Sequence, residues 1–366
     1  MTERVPTEKL DVAFFVPNLE GGIGRVTAAI AKSLHASGKD VAVWSAAQSN
    51  SEHEEELALL LPVRHLGSGS TYSSLPSLVR ALRERTPCVV VSASFQANCA
   101  LILASFFVRK KPRMIIAEHT SLDVGLPELS FLKRLIWRML IRALYPRADA
   151  HVAVSKGVAR ALATVSGVPL QHITVIPNPI ISDELFVKSQ EPVHHPFFAS
   201  SEPTVLYVGR FSKEKDVATL LKAFAMVRVP SNLLLLADGP ERAALEQFVK
   251  ENKLSNRVSF LGHVKNPYPY FKKSDTLVLS SKREGLPTVL IEALAFGMKV
   301  VSTDCKSGPR EILRDGAYGT LVPVGDSDAL AKAIETSLKN DKERVPESAL
   351  MQYKVGTATK AYLSLF

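Results

Sequence analysis

The stretch TLVLSSKREGLPTVLIEALAFGMKVVSTD, residues 276–304, joins two aliphatic, β-branched runs through a segment with helical features. The flanking runs at 276–281 and 299–304 are typical of buried parallel strands. Between them, Pro287 suits the opening turn of a helix and Gly297 suits its end. A strand, a helix and a second strand in this order predict part of a doubly wound α/β domain.

The same alternation extends in both directions along the 366 residues, a length that suggests two domains. Further strands are predicted at DVAFFVP (11–17), DVAVW (40–44), CVVVS (88–92), RMIIA (113–117), AHVAVS (150–155), TVLYVGR (204–210), LLLLAD (233–238), RVSFLG (257–262) and GTLVPV (319–324). We therefore predict two Rossmann-like domains, residues 1–190 and 200–347, joined by a polar, proline-containing linker within 182–203. A final helix at about 348–366 is expected to pack back on the first domain.

Composition places the chain among ordinary globular proteins. Hydrophobic residues make up 46% and charged residues 22%, which argues against disorder. The three cysteines lack metal-ligand spacing, and the N-terminus lacks a signal-peptide pattern. Apolar runs such as 99–108 are far shorter than the roughly 18 residues needed to cross a bilayer. We expect a cytoplasmic protein without a membrane-spanning helix.

Two glutamates bracket the start of the helix predicted within 276–304. Glu284 precedes this helix and Glu292 lies inside it. The backbone N–H groups near Thr288, at the helix start, can attract phosphate. The alternative interpretation is an amphipathic helix with two incidental glutamates.

Ligands of open α/β sheets bind beyond the carboxyl ends of the strands. After the first strand, Gly21 and Gly22 allow close backbone approach, although the pattern lacks the third glycine of a dinucleotide-binding loop. After the strand that begins the second half, Arg210 and Lys215 could clamp a diphosphate. The alternatives are a plain strand-to-helix turn and two solvated surface charges.

His119 follows the strand predicted at 113–117. An imidazole at the end of a strand can hydrogen-bond a bound hydroxyl or carbonyl and can move protons. The alternative is a structural histidine, but its location favours a function.

Taken in order, these residues, with Gly209, Gly239 and Pro240, resemble the retaining family 4 glycosyltransferases of the GT-B fold. The resemblance covers nearly the whole chain and is more specific in the second half. It implies two Rossmann-like domains that face each other across a cleft. In that family the cleft holds a nucleotide sugar, and the first domain mainly binds the acceptor.

By position, the resemblance assigns a donor-binding set: Gly21, Gly22, Arg210, Lys215, Val264, Glu284, Thr288, Val289 and Glu292. Glu284 and His119 would carry the catalytic roles on either side of the sugar. Glu292 would bind the ribose, and the backbone near Val264 would meet the base. The resemblance implies retention by front-side attack without a metal or other cofactor. The DxD pattern at Asp326 and Asp328 is interpreted instead as a helix cap and a first-turn acid.

The segment KSGPREIL, residues 306–313, departs from the common family pattern. Gly308 and Pro309 stand where many members have a two-glycine turn. This variant resembles bacterial members that build lipid-linked oligosaccharides, O-antigens or capsules. We therefore predict transfer of a hexose or N-acetylhexosamine from a UDP-sugar to a polyprenyl-diphosphate-linked glycan, with the sugar itself left open.

The excess positive charge is concentrated in residues 109–160, with eleven Lys or Arg against four acids. On the helix predicted within 131–147, Arg134, Arg138 and Arg142 recur every four residues around Trp137 and aliphatic side chains. Such a helix suits an anionic bilayer surface, which predicts peripheral attachment to the inner face of the plasma membrane. The alternative is a core helix with a solvated arginine stripe. Nucleic acid is disfavoured because no recognised binding module occurs.

Two other functions share parts of this pattern. A sugar-nucleotide epimerase of GT-B-like fold would bind a nucleotide sugar without an acceptor. A non-catalytic, membrane-bound sugar-nucleotide-binding partner could keep Arg210 and Lys215 without turnover. The combination of His119, Glu284 and Glu292 favours a transferase over both.

Overall fold

The computed structural model describes residues 10–49, 51–67, 70–122, 130–341 and 345–366. The predicted domains also include residues 1–9, 123–129 and 342–344, which lie outside the described residues. Contacts divide the chain into two compact units. Unit 1 comprises Met1–Ile180 and Gln352–Phe366, and unit 2 comprises Ile181–Met351.

Unit 1 is built on a parallel sheet covered by helices. Its strands are β1 (Val12–Val16), β2 (Val41–Ser45), β3 (Val63–His65), β4 (Val89–Ala93), β5 (Arg113–Glu118), β6 (Ala150–Ala153) and β7 (Ile173–Val175). Among its described residues, the helices before the chain enters unit 2 are α1 (Gly21–Ala36), α2 (Glu52–Ala58), α3 (Leu75–Arg85), α4 (Phe95–Ser105), α5 (Phe131–Leu144) and α6 (Lys156–Ser166). The strand order is β3-β2-β1-β4-β5-β6-β7.

Unit 2 repeats the plan with six strands. They are β8 (Thr204–Arg210), β9 (Asn232–Asp238), β10 (Val258–Phe260), β11 (Thr276–Leu279), β12 (Lys299–Thr303) and β13 (Thr320–Val322). The helices are α7 (Asp183–Lys188), α8 (Val217–Met226), α9 (Arg242–Glu251), α10 (Tyr268–Lys273), α11 (Thr288–Ala295), α12 (Pro309–Ile312), α13 (Ser327–Lys339) and α14 (Glu347–Leu350). The order is β10-β9-β8-β11-β12-β13, and the pairings are parallel.

In each sheet the order of the strands reverses once. The reversal lies between β1 and β4 in unit 1 and between β8 and β11 in unit 2. A ligand crevice forms where the strand order reverses, because adjacent loops leave in opposite directions there. The five residues of β1 are all buried, as expected for a parallel strand covered on both faces. The prediction of two Rossmann-like units is confirmed.

Two strands were not predicted from the sequence. β3 and β7 each contain three residues, and two of the three are exposed in each strand. Both lie at an edge of the unit 1 sheet. An edge strand with solvated side chains lacks the continuous apolar run by which central parallel strands are recognised.

The predicted linker is part of unit 2. It contains α7, and the Asn266 side-chain amide donates to the Lys188 carbonyl at 2.8 Å. The Lys273 ammonium donates to the Val193 carbonyl at 3.0 Å. The chain therefore changes units between Ile180 and Ile181, about ten residues earlier than the end predicted for the first domain.

The C-terminal segment returns to unit 1 as α15 (Val355–Leu363). Ala358 and Tyr362 are buried in the unit 1 core, and Thr359 Oγ1 donates to Ser33 Oγ of α1 at 2.9 Å. The Arg113 Nε–H donates to the Leu365 carbonyl at 2.5 Å. The return begins at Gln352, because α14 still belongs to unit 2, so the segment is slightly shorter than the predicted 348–366.

Candidate functional site

In unit 2, the loops that follow β8 and β11 bring two predicted site residues together. Lys215 Nζ lies 2.6 Å from Glu284 Oε1, and Ser281 Oγ donates to the same oxygen at 2.6 Å. The Glu284 side chain is 9% exposed and that of Lys215 is 28% exposed. An ammonium is thus held at the switch point of the sheet with one side still open to solvent.

These two loops are connected by further contacts. Ser280 Oγ donates to the Lys215 carbonyl at 2.9 Å, and the Lys282 N–H donates to the Glu214 carbonyl at 2.7 Å. The Lys282 ammonium lies 3.3 Å from Asp216 Oδ1. The separation between Lys215 and Glu284 is therefore set by backbone as well as side-chain contacts.

Arg210 ends β8, as the sequence predicted, and the structure places it at the surface as an exposed residue. Tyr207 lies buried two residues before Gly209, and its hydroxyl donates to the Arg210 carbonyl at 3.3 Å. A Cβ added to Gly209 would lie 2.8 Å from that hydroxyl. Tyr207 was not identified from the sequence, where it reads as one more apolar strand residue.

The helix α11 begins at Thr288, with Pro287 as its N-cap residue. Thr288 and Val289 are half-buried, whereas Glu292 is 2% exposed. At the other end, Gly297 takes φ +66°, and the Gly297 and Met298 N–H groups donate to Leu294 and Ala293 carbonyls. This Schellman motif ends the helix where the sequence predicted.

The start of α11 is packed against the unusual segment at 306–313. Gly308 has φ +91°, and a Cβ placed there would lie 2.3 Å from Pro287 Cδ. Only glycine fits that contact, so the Gly308-Pro309 turn supports the residues between Glu284 and Thr288. The remaining donor candidate of unit 2, Val264, lies half-buried in the loop between β10 and α10.

In unit 1, Gly21 and Gly22 are exposed, and α1 begins at Gly21. A Cβ on either glycine would meet no atom within 4 Å, so their backbone is open to a ligand. Gly24 is different: its Cβ would lie 2.0 Å from the Leu19 carbonyl oxygen. A glycine is therefore required at position 24, because the backbone of Leu19 packs directly against it.

His119 follows β5 directly, and its Nδ1 lies 3.2 Å from Asn178 Oδ1. Burial lowers the pKa of the imidazole to about 4, against the opposing effect of Asn178. The ring is therefore neutral near pH 7. With Nδ1–H donating to the Asn178 carbonyl oxygen, Nε2 is an acceptor for a hydroxyl group. Asn178, in the loop after the unpredicted β7, was missed.

The basic helix α5 is largely solvent-exposed, with Ile141 and Leu144 as its buried residues. Large apolar side chains on its surface are Phe131 (72% exposed), Leu132 (65%), Leu135 (46%), Ile136 (48%) and Met139 (64%). Arg138 and Arg142 are exposed, and the Arg134 guanidinium lies 5.5 Å from the Phe131 ring centroid. The apolar surface of this helix is therefore not absorbed into the core.

Trp137 occupies a different environment from the other residues predicted to contact a membrane. Its ring packs edge-on against Phe95 at 4.8 Å and lies 5.4 Å from the Tyr72 ring. It anchors α5 to the region of α3 and α4 instead of extending the exposed apolar surface. A large aromatic residue in a basic helix does not reveal its direction from sequence alone.

None of the helices in the described ranges has the length and apolar character needed to cross a bilayer. Across the same ranges, three or more His, Cys, Asp or Glu side chains are nowhere grouped so as to hold a metal ion. The Asp326 carboxylate accepts the Ala329 N–H at 2.8 Å as the N-cap of α13, with Asp328 in the first turn. The interpretation of this DxD pattern as a helix cap is confirmed.

Family comparisons match both units. The model for glycosyl transferases group 1 matches residues 192–348, and that for glycosyltransferase family 4 matches residues 20–184. A relative from Campylobacter jejuni, named as a GalNAc-alpha-(1->4)-GalNAc-alpha-(1->3)-diNAcBac-PP-undecaprenol alpha-1,4-N-acetyl-D-galactosaminyltransferase, is 31% identical. The alignment covers 75% of this chain and 72% of that relative.

A second Campylobacter jejuni relative is 32% identical over 68% of this chain and 66% of its own length. Its name is N-acetylgalactosamine-N,N'-diacetylbacillosaminyl-diphospho-undecaprenol 4-alpha-N-acetylgalactosaminyltransferase. The two bacterial relatives are thus glycosyltransferases of undecaprenol-linked sugars.

Solved structures show the same fold. HepE from Anabaena, in complex with UDP and glucose, aligns with a TM-score of 0.81 at 20% identity, over 97% of this chain and 98% of that chain. The lipopolysaccharide outer core galactosyltransferase WaaB, in its apo form, has a TM-score of 0.73 at 20% identity, over 97% and 99%. The chain therefore belongs to the family 4 glycosyltransferases and has the GT-B fold.

Proposed function

We propose that this glycosyltransferase transfers a hexose or N-acetylhexosamine from a UDP-sugar to a polyprenyl-diphosphate-linked sugar, with retention of configuration. The observation that carries the proposal is the Lys215–Glu284 pair at the strand switch of unit 2, beside the start of α11. The acceptor class is inferred from the two Campylobacter relatives, whose names specify undecaprenol-linked acceptors.

The donor diphosphate would meet positive charge from Arg210 and Lys215. Charge-assisted hydrogen bonds from a guanidinium and an ammonium stabilise phosphate strongly, and more so as charge develops on the leaving nucleotide. The N-terminal end of α11, with the amides of Thr288 and Val289, adds a favourable dipole. The open backbone of Gly21 and Gly22 is the contribution that we propose from unit 1. The ribose and the base are assigned to Glu292 and to the backbone near Val264.

Glu284 is already engaged by Lys215 and Ser281. In the reaction, the acceptor oxygen forms a bond to the anomeric carbon on the face from which UDP departs. The bond between that carbon and the β-phosphate oxygen breaks, and the acceptor proton passes to the departing phosphate oxygen. Glu284 would orient the hexose near this face, and no metal or other cofactor is proposed to take part.

His119 is assigned to the other side of the sugar. As a neutral ring whose Nδ1 is directed at Asn178, it would accept a hydrogen bond from a sugar hydroxyl through Nε2. Such a contact orients the donor and needs no proton transfer. Asn178 would then determine which ring nitrogen faces the sugar.

The exposed apolar surface of α5, flanked by Arg134, Arg138 and Arg142, is assigned to an anionic membrane. Leucine, methionine and phenylalanine side chains would enter the lipid interface while arginines remain with the headgroups. Peripheral attachment at the inner face of the plasma membrane would bring unit 1 to a lipid-linked acceptor. No nucleic-acid partner is proposed.

The test is product analysis with purified protein, a polyprenyl-diphosphate-sugar acceptor and a panel of UDP-, GDP- and ADP-sugars. We expect one hexose or N-acetylhexosamine to be added from a UDP-sugar, with an α-anomeric proton coupling in the product. The activity is expected to persist in EDTA and to be lost in Glu284→Gln. Conversion of a donor in the absence of acceptor would instead identify an epimerase, and nucleotide binding without product would indicate a non-catalytic partner.

A further inference from the structure

A buried polar network lies directly behind His119 in unit 1. Glu118, the last residue of β5, is 1% exposed, and its Oε1 accepts hydrogen bonds from Asn98 Nδ2 at 2.8 Å and from the Tyr145 hydroxyl. Asn98 Oδ1 in turn accepts from Ser92 Oγ at 2.6 Å. The carboxyl thus connects β5 to β4, to α4 and to the turn that follows α5.

This network fixes backbone as well as side chains. Asn98 Nδ2 also donates to the Ala117 carbonyl at 3.1 Å, and the Val154 N–H donates to the Glu118 carbonyl at 3.2 Å. The Ser94 N–H donates to the Ala117 carbonyl from the other side at 3.2 Å. The peptide that leads into His119 is therefore held on three sides.

A carboxyl in such a position opposes folding when it is ionised. Burial raises the pKa of Glu118 to about 7, and this effect is larger than the opposing effect of the hydrogen bonds from Tyr145 and Asn98. A glutamine of the same shape would accept the same two hydrogen bonds without a charge. An ionisable group kept at a strand end next to a candidate site, at the expense of stability, indicates a functional use.

We propose that Glu118 is a positioning residue for His119. Held by Asn98 and Tyr145, its carboxyl fixes the carboxyl end of β5 and so the direction of the imidazole that follows. Ionised oxygen accepts stronger hydrogen bonds than neutral oxygen, so the end of β5 is held more firmly when Glu118 is charged. The proposal rests on the proposed function only in assigning a sugar contact to His119.

Compared with the titratable groups packed around it, Glu118 is the residue whose pKa lies close to neutrality. Burial raises the pKa of Cys99 on α4 to about 12 and that of Tyr145 above its ordinary range. On β6, burial lowers the pKa of His151, whose Nε2 lies 2.9 Å from the Tyr145 carbonyl oxygen. His119 itself is neutral above about pH 4.

The first test observes His119 directly by NMR of its imidazole, assigned with His119→Gln. In the natural protein we expect its ring signals to show an inflection at about pH 7, where Glu118 titrates. Glu118→Gln should remove that inflection, and Tyr145→Phe should displace it. Tyr362→Phe, which changes a buried tyrosine elsewhere in unit 1, is the matched control and should leave it in place. Ring signals in Glu118→Gln that superimpose on those of the natural protein at every pH would overturn the proposal.

The second test follows transfer. We expect kcat to rise with pH through about 7 in the natural protein, and Glu118→Gln to remain at the low-pH level, roughly fivefold below the plateau. The KM for the donor should change less than kcat, since the proposed diphosphate contacts Arg210 and Lys215 belong to unit 2 and do not involve β5. An unchanged kcat profile in Glu118→Gln would assign Glu118 to structure alone. If every variant and the natural protein lack transfer, the proposed function fails while the NMR result still decides the role of Glu118.

Discussion

Lys215 and Glu284, 69 residues apart in sequence, form an ion pair of 2.6 Å at the carboxyl edge of the unit 2 sheet. The carboxylate is nearly buried and the ammonium is partly open to solvent. An incoming diphosphate would therefore find a cation whose position is already set by a counter-charge. On donor binding, we expect the Lys215 ammonium to share its contacts between Glu284 and the diphosphate. Little entropy should then be lost in ordering a mobile side chain.

Replacing Lys215 tests the donor site. In Lys215→Met we expect UDP affinity to fall by about 10- to 100-fold, the equivalent of one or two charge-assisted hydrogen bonds. Part of the loss would come from Glu284, which would then repel the diphosphate. Calorimetric titration with UDP provides the measurement. Lys213→Met, an exposed lysine of the same loop, should bind within about twofold of the natural protein, and equal affinities for both variants would contradict the assignment.

Replacing Gly308 tests whether the Gly308-Pro309 turn supports the start of α11. Alanine at a positive φ costs about 1–2 kcal/mol, and at Gly308 the new Cβ would also collide with Pro287. Gly316→Ala is the matched control, because Gly316 has φ +98° but a Cβ there meets nothing within 4 Å. Thermal unfolding should show a larger loss of stability in Gly308→Ala by at least about 1 kcal/mol, together with weaker UDP binding. Identical losses would show that Pro287 can move freely.

The surface of α5 tests membrane attachment. Leu132→Ser combined with Met139→Ser should reduce partitioning onto phosphatidylglycerol vesicles by about 10-fold or more, because less apolar area would enter the interface. Vesicle co-sedimentation measures this effect, and the unfolding midpoint should not fall, since both side chains are more than half exposed. Val187→Ser, at a 70% exposed position of unit 2, is the control. Equal binding of all three proteins would place the membrane contact elsewhere.

The raised pKa of Glu118 makes a prediction about stability. Folded unit 1 keeps this proton up to about pH 7, whereas the unfolded chain releases it near 4.5. The unfolded state therefore binds fewer protons in this window, so the free energy of unfolding falls as pH rises from 4.5 to 7, by on the order of 3 kcal/mol. Glu118→Gln should remove that fall and be the more stable protein at about pH 8 in urea unfolding.

Comparing the two proteins cancels the opposite contribution of His119. Its lowered pKa makes folding more favourable as pH rises from about 4 towards 6.5. A stability difference between natural protein and Glu118→Gln that does not vary with pH would show that the carboxyl is not desolvated in solution.

The central architecture was predictable because parallel strands buried on both faces leave continuous apolar runs, as in β1 and β8. Arg210, Lys215, Glu284 and His119 could be found because they stand next to those runs. The residues that contact them could not be predicted. Ser281, Tyr207 and Asn178 meet them only in the folded structure, and nothing in their local sequence distinguishes them from neighbouring polar or strand residues.

For α5, the sequence predicted the helix but not the environment of its apolar side chains. Its charge and apolar periodicity predicted an amphipathic helix, yet whether the apolar side was covered depended on how α3 and α4 pack beside it. The contacts of Trp137 with Phe95 and Tyr72 belong to tertiary structure and carry no local signal. Exposure of Phe131, Leu132 and Met139 therefore had to come from the structure.

The return of α15 to unit 1 has a consequence for synthesis. Thr359 contacts Ser33 across 326 positions of the chain, and all of unit 2 is translated between them. Unit 2 can assemble from one continuous segment as it leaves the ribosome, whereas unit 1 keeps an uncovered patch on α1 until α15 emerges. The nascent first half is therefore the part of this enzyme that chaperones would need to shield, even though it is made first.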